Sequence, residues 1–294
     1  MKKRVFTGSG VAIVTPFAED GSVNYEEFGR LIDWQIEQGT SCIVAAGTTG
    51  EASAMTDEEH IAVVEYAVQR TAGRVPVMAG AGSNDTRHGI HLAMRMQEVG
   101  ADALLLVTPY YNKTTQKGLY EHFAATVKDI TIPVVLYNVP GRTGLNMLPA
   151  TVARLALDFP QIVGVKECVF DQVGELKSLI GDDFAIYTGE DGVAVPVMSM
   201  GGAGVISVLA NLVPADVARM MRLCQDGRYP EAAAMQVKAL PLIKALFAET
   251  SPIPVKYAMN RLGMNVGDGR LPLTTITDEG AARMDAALRS YGLL

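Results

Sequence analysis

The sequence predicts an α/β protein: a (β/α)8 TIM barrel with a C-terminal helical extension. Three observations predict it. Eight short, nearly continuous apolar runs recur along the chain, as strands buried on both faces require. Amphipathic segments ending in glycine separate them. The runs start roughly 20 to 33 residues apart, the length of one βα unit, with no long linker between them.

The expected strands are 11–17 (VAIVTPF), 41–47 (SCIVAAG), 75–82 (VPVMAGAG) and 101–109 (ADALLLVTP). They continue at 132–140 (IPVVLYNVP), 161–168 (QIVGVKEC), 184–190 (FAIYTGE) and 202–208 (GAGVISV). Segments such as YEEFGRLIDWQIEQG and DEEHIAVVEYAVQRTAG place apolar residues at helical spacing. Asp57 and Asn84 are the expected N-caps of the second and third helices. An open, doubly wound sheet usually carries a Gly-rich loop after its first strand. Here GSG precedes the first expected strand, which favours the closed barrel. After about residue 226 only helices are expected, at 230–247, 253–262 and 277–290. This divides the chain into a barrel domain, 1–226, and a C-terminal helical domain, 227–294.

Hydrophobic residues make up 49% and charged residues 19% of the 294, a globular balance. A net charge of −7 without any basic run interleaved with aromatics argues against a nucleic-acid partner. The start, MKKRVFTGSGVAIVTPF, has the charge of a leader, but its apolar stretch is short and broken by Gly, Thr and Pro. Targeting and membrane roles are therefore not expected. Cys42, Cys168 and Cys224 are odd in number, far apart and in apolar segments, so each reads as a small buried hydrophobe in a reduced, cytoplasmic protein.

Chemistry in such barrels sits where strands end and βα loops begin. Those ends bring Thr48, Thr49, Glu51, Tyr110, Tyr111, Tyr137, Asn138, Arg142, Lys166, Glu167, Gly189, Glu190, Ile206 and Ser207 to one rim. Lys166 follows IVGV directly. Burial disfavours an ammonium and so favours the neutral amine that attacks a ketone to form an imine. The alternative is a strand-end lysine that reaches solvent or pairs with Glu167. Tyr137, at the matching end of the fifth strand, can shuttle protons or simply pack. GTTGE (47–51) offers two hydroxyls and backbone N–H groups for a carboxylate, or is only a turn into a helix. Arg142 can grip a carboxylate from its Gly/Pro-rich loop, or be an idle surface residue. His60, His88, His91 and His122 fall in helical segments and form no HExxH pair; His88 and His91 are three apart but have no accompanying carboxylate or Cys ligand, so no metal site is expected.

These residues also carry a resemblance. GTTGE (47–51), VTPYYN (107–112), YNVPGRTG (137–144), GVKE (164–167), GGAGVIS (201–207) and PIPVKYA (252–258) stand in the order and spacing of one family. Over essentially its whole length the chain resembles the dihydrodipicolinate synthase family of pyruvate-dependent class I aldolases. The resemblance implies condensation of pyruvate with L-aspartate-4-semialdehyde in lysine biosynthesis, without metal or organic cofactor. It implies Lys166 as the Schiff-base lysine, with Tyr137, Thr48 and Tyr111 as proton relay. Tyr111 would reach the neighbouring subunit of a tight dimer, two of which form a homotetramer. Thr49 and Ile206 would contact pyruvate, and Arg142 would clamp the aldehyde's carboxylate. The chain departs from the family after the lysine, where it reads ECVFDQ (167–172) in place of a small-residue turn.

Lysine-sensitive relatives bind that effector with a histidine, an asparagine, a glutamate and the first tyrosine of TPYYN. His60, Asn84 and Tyr110 match three of these, but His88 occupies the glutamate's place and Asp57 that of a frequent second histidine. Weak feedback inhibition is the implication. Sister aldolases, such as N-acetylneuraminate lyase or 2-keto-3-deoxy-sugar-acid lyases, share the lysine and tyrosine. The sialic acid lyases lack an arginine in the loop that holds Arg142. A non-catalytic keto-acid-binding barrel would have lost relay residues, and none is lost here.

Overall fold

The computed structural model describes residues 4–294; the first three residues of the leader-like start lie outside them. Eight parallel strands close in sequence order, the last pairing with the first. They are β1 (Gly8–Ala12), β2 (Cys42–Ala45), β3 (Val77–Gly80), β4 (Ala103–Val107), β5 (Val134–Asn138), β6 (Ile162–Glu167), β7 (Ala185–Thr188) and β8 (Gly204–Ser207).

Helices follow the strands: α1 (Tyr25–Glu37), α2 (Asp57–Thr71), α3 (Thr86–Glu98), α4 (Gln116–Val127), the short α5 (Pro140–Thr143) with α6 (Pro149–Asp158), α7 (Val173–Ile180), α8 (Ala194–Ser199) and α9 (Pro214–Gln225). Beyond the barrel lie α10 (Tyr229–Leu246), α11 (Ile253–Arg261) and α12 (Asp278–Tyr291), within a residue of the expected bounds. All four histidines sit in helices, as expected. Among the described residues, no helix is long and apolar enough to cross a membrane.

The first strand differs from expectation. GSG (8–10) lies inside β1, and the strand ends at Ala12, short of the expected 17. The reason is barrel closure: Gly8 faces Gly204, where an added Cβ would come within 2.0 Å of the Gly8 carbonyl oxygen. Only glycine permits that approach. Both expected N-caps are also displaced by one residue. Thr56 caps α2 in a capping box with Glu59, and Asp85 caps α3. Asp57 instead opens α2, and Asn84 uses its carbonyl to accept a hydrogen bond from Asn112.

Side chains pack on both faces of the sheet. Inside the barrel, Val44, Met78, Leu105, Val135 and Tyr187 form a plug. Phe6 stacks on Tyr187 at 4.4 Å, and the Tyr187 hydroxyl donates to the Phe6 carbonyl at 2.7 Å. Outside, the core between strands and helices runs on without a break into Leu242, Val255 and Met284 of the C-terminal helices. Cys42 and Cys224 are buried as expected, whereas Cys168 is only half-buried, because it stands at the rim.

Candidate active site

The register of β5 on β6 sets Tyr137 beside Lys166 and Asn138 beside Glu167. Alternation then turns the first pair into the barrel and the second outward, toward the helices. Lys166 is only 6% exposed, and its Nζ lies 4.3 Å from the centre of the Tyr137 ring. The solvent-reaching alternative for Lys166 fails on burial. Pairing with Glu167 fails on direction, because that carboxylate is bonded to Asn138, Val169 and Gln172 on the other face.

Burial raises the Tyr137 phenol, while the Lys166 charge and a hydrogen bond with the Thr48 side chain pull the other way. Thr49, from the same loop, is buried, as is Ile206 in β8. Neither Thr48 nor Thr49 belongs to a helix; the loop turns through Glu51, which holds a left-handed φ of 58°. Gly189 forms the floor beside the amine. A Cβ added there would meet Cys168 Sγ at 2.4 Å and Lys166 Cε at 2.7 Å, so no side chain fits.

Arg142 rises from α5 at the rim, and its Nη2 donates to the Ser251 carbonyl at 3.1 Å. Its charge acts on both Tyr137 and Glu190, so the guanidinium lies within electrostatic reach of the rim. Tyr111 stands apart. It is 91% exposed, with φ of 68°, a left-handed conformation unusual for a bulky residue.

Of the residues matched to an effector site, His60 and His88 come together with Asp57. His60 is buried, its Nε2 lies 2.7 Å from the Gly80 carbonyl, and burial lowers its pKa. His88 Nε2 pairs with Asp57 at 2.9 Å, and its Nδ1 meets Ser83 Oγ at 3.0 Å. Both Asp57 and His88 act electrostatically on His60. Tyr110 is at the surface, and Asn84 is half-buried at the start of the same helix region.

Three features escaped sequence reasoning. Cys168 lies against Glu190 and Lys166, and burial pushes its thiol up to about 12. Asp191 is fully buried, accepting from Ser207 Oγ at 2.5 Å and from the Val208 and Leu209 N–H groups at 3.0 Å, which fixes the end of β8. Glu51 and Lys256 form a buried ion pair at 2.6 Å between the GTTGE loop and α11. Its only signal was a lysine inside the apolar PIPVKYA run.

A closed (β/α)8 barrel whose rim gathers a nearly buried lysine, a tyrosine and a threonine is the architecture of a Schiff-base aldolase. The chain belongs to the dihydrodipicolinate synthetase family, whose model matches residues 5–291. It is 54% identical to the 4-hydroxy-tetrahydrodipicolinate synthase of Acetivibrio thermocellus, with 100% of each chain covered. Among solved structures, the Acinetobacter baumannii dihydrodipicolinate synthase complexed with pyruvate is 40% identical with a TM-score of 0.95. That match covers 98% of this chain and 100% of the other. The Cyanidioschyzon merolae enzyme with lysine bound is 37% identical, with a TM-score of 0.96 over 99% of this chain and 100% of its own.

Proposed function

We propose that this chain is a 4-hydroxy-tetrahydrodipicolinate synthase, condensing pyruvate with L-aspartate-4-semialdehyde in lysine biosynthesis. The observation that supports this most is the Lys166 amine, nearly buried against the Tyr137 ring at the barrel mouth. The amine adds to the pyruvate ketone, and loss of water leaves an imine. Tyr137 moves the protons, passing them through the Thr48 hydroxyl it touches. The imine draws electrons from the pyruvate methyl group, so a proton leaves and an enamine forms. The enamine carbon attacks the aldehyde. The aldehyde substrate's own amine then closes on the imine carbon and frees Lys166. The imine is itself the electron sink, so this reading requires no metal or organic cofactor.

In this reading Thr49 and the Ile206 backbone hold the pyruvate carboxylate, and Arg142 holds that of the semialdehyde. Tyr111 completes the relay in the partner subunit of a tight dimer, and two dimers make a homotetramer. The exposure and backbone conformation of Tyr111 support this, since among the described residues nothing covers the ring. The protein would be cytoplasmic, with barrel 1–226 and helical domain 227–294 joined by the Glu51–Lys256 pair. The test is a coupled assay with pyruvate and aspartate semialdehyde beside pyruvate with N-acetylmannosamine. Turnover of the second pair and not the first would replace this reading with the sister lyase.

Arg142→Ala is expected to weaken use of the semialdehyde while pyruvate still forms its adduct. Losing a charge-assisted contact costs on the order of 1.5–3 kcal/mol. Steady-state kinetics and borohydride trapping separate the two steps. Equal loss in both would assign Arg142 to the pyruvate site or the fold.

Inhibition by L-lysine is expected to be weak or absent. An effector ammonium needs a carboxylate, and His88 supplies none where relatives place a glutamate. The Asp57 carboxylate is already held by His88. One lost charged contact weakens binding by about 1.5–3 kcal/mol, roughly tenfold to a hundredfold. Titration of L-lysine into the coupled assay decides the matter: strong inhibition below millimolar would refute it. His88→Glu is expected to raise sensitivity.

A further inference from the structure

The ECVFDQ segment, where the chain departs from its family pattern, supplies half of a buried side-chain ring behind the reacting pair. Glu167 and Asn138 are 1% and 0% exposed, on the outer face of the strand ends that carry Lys166 and Tyr137 inward. Glu167 Oε1 accepts from the Val169 N–H at 2.7 Å and from Asn138 Nδ2 at 2.9 Å. Its Oε2 accepts from Gln172 Nε2 and from Asn138 Nδ2, each at 3.2 Å. Asn138 also binds the loop that follows Arg142: its Oδ1 accepts from the Met147 N–H at 2.9 Å and its Nδ2 donates to Asn146 Oδ1 at 2.8 Å. Asn146 Nδ2 closes the ring on Gln172 Oε1 at 2.7 Å.

We propose that Glu167 is a positioning residue for the imine chemistry: its carboxylate holds the ends of β5 and β6 in the register that sets Tyr137 against Lys166. The same ring anchors the loop behind Arg142. The inference rests on the reading of Lys166 as the imine-forming amine.

The chemistry of the ring explains why a carboxylate is needed. Every group that reaches Glu167 is a donor, so only a carboxylate, with acceptors alone, matches them all. The groups facing it from β5, the 139–147 loop and the turn before α7 are Asn138, Asn146, Met147 and Gln172, all uncharged. On its own strand Lys166 points to the opposite face, and Cys168, just beyond the strand, is a half-buried thiol. Among the described residues, no cation forms an ion pair with Glu167. Burial without a counter-ion pushes its carboxyl up to about 7, against the pull of its donors. Protonation would place an O–H among donors with no acceptor, and an amide would have to turn over or the ring open.

The test compares wild type with Glu167→Gln, which keeps the shape but puts an NH2 among donors. Turnover is measured across pH 5.5–9 with KM for both substrates, beside borohydride trapping of pyruvate. Wild-type kcat is expected to fall as pH drops through about 7. In Glu167→Gln, kcat at pH 8 is expected to fall on the order of tenfold to a hundredfold, as small misplacements of catalytic groups do. Its KM for pyruvate should hardly move, and the step near pH 7 should vanish. Glu190, also raised by burial, stays in the variant, so any limb it causes persists. Wild-type kcat with an unaltered pH profile in Glu167→Gln, or a lower melting temperature with normal kcat, overturns the proposal while leaving Lys166 in place. Absence of an adduct in wild type overturns the Lys166 reading, and this inference with it. If Glu167→Gln does not fold, Gln172→Leu, which removes one donor and the link to Asn146, should give the same change more weakly. An unchanged kcat and pH profile there likewise overturns it.

Discussion

Reduction with borohydride in the presence of pyruvate is expected to leave one adduct per chain, on Lys166. Among the described residues no carboxylate lies within ion-pair distance of its amine. Tyr137 covers one side, and Gly189 packs against the lysine's Cε with no side chain between them. Once the amine has added to the ketone and water has left, reduction converts the imine to a stable secondary amine of defined mass. Lys166→Ala should abolish both the adduct and turnover. Lys166→Arg should do the same, because guanidinium keeps its proton and forms no imine. Peptide mass spectrometry reads the position. Labelling on Lys256 or another lysine, or none at all, would sink the mechanism. Since Lys166→Ala leaves the strand's backbone ladder untouched, a native circular dichroism spectrum should accompany the lost activity.

The eight strands were legible because each is buried on both faces, which writes a nearly unbroken apolar run into the chain. The rim was legible for a related reason: a lysine, a tyrosine and an arginine at strand ends interrupt those runs where nothing in the core needs them. Boundaries were harder to read. Gly8–Ser9–Gly10 looks like a loop, yet the barrel can close only with glycine at the β1–β8 contact. Thr56 and Asp85 took the capping positions from their neighbours because two capping residues stand side by side at both helix starts, and only the backbone turn decides between them. Direction was not legible either. Lys166 and Glu167 are adjacent letters, and the pleat sends one into the barrel and the other to a hydrogen-bonded ring behind it. Tyr111 shows a further limit: its ring is 91% exposed, so no packing within the chain marks it.

Lys256→Met is expected to destabilise the fold by about 3–5 kcal/mol, the cost of leaving one partner of a buried ion pair uncompensated. Lys256 Nζ is bonded to Glu51 at 2.6 Å and to the Asp268 carbonyl at 3.0 Å, and lies 4.1 Å from the Phe17 ring centre. The two side chains are 2% and 0% exposed. Burial lowers the Lys256 pKa, and the Glu51 charge opposes that shift, so each ion is tolerable only beside the other. The second Glu51 oxygen accepts from the Arg270 N–H at 2.9 Å, and Arg270 itself pairs with Glu59 at 2.7 Å. One buried carboxylate therefore ties the GTTGE loop to two separate stretches of the C-terminal helical part. Methionine fills the lysine's volume, so the loss should come from charge and not from a cavity. Urea unfolding followed by circular dichroism measures it. Lys256→Met with Glu51→Gln should recover part of the loss, because no uncompensated charge then remains buried. A loss below about 1 kcal/mol, as for an exposed pair, would show that the pair does not hold these segments together. The single variant should also lose turnover beyond its loss of folded protein, because Thr48 and Thr49 stand on the loop that Glu51 anchors.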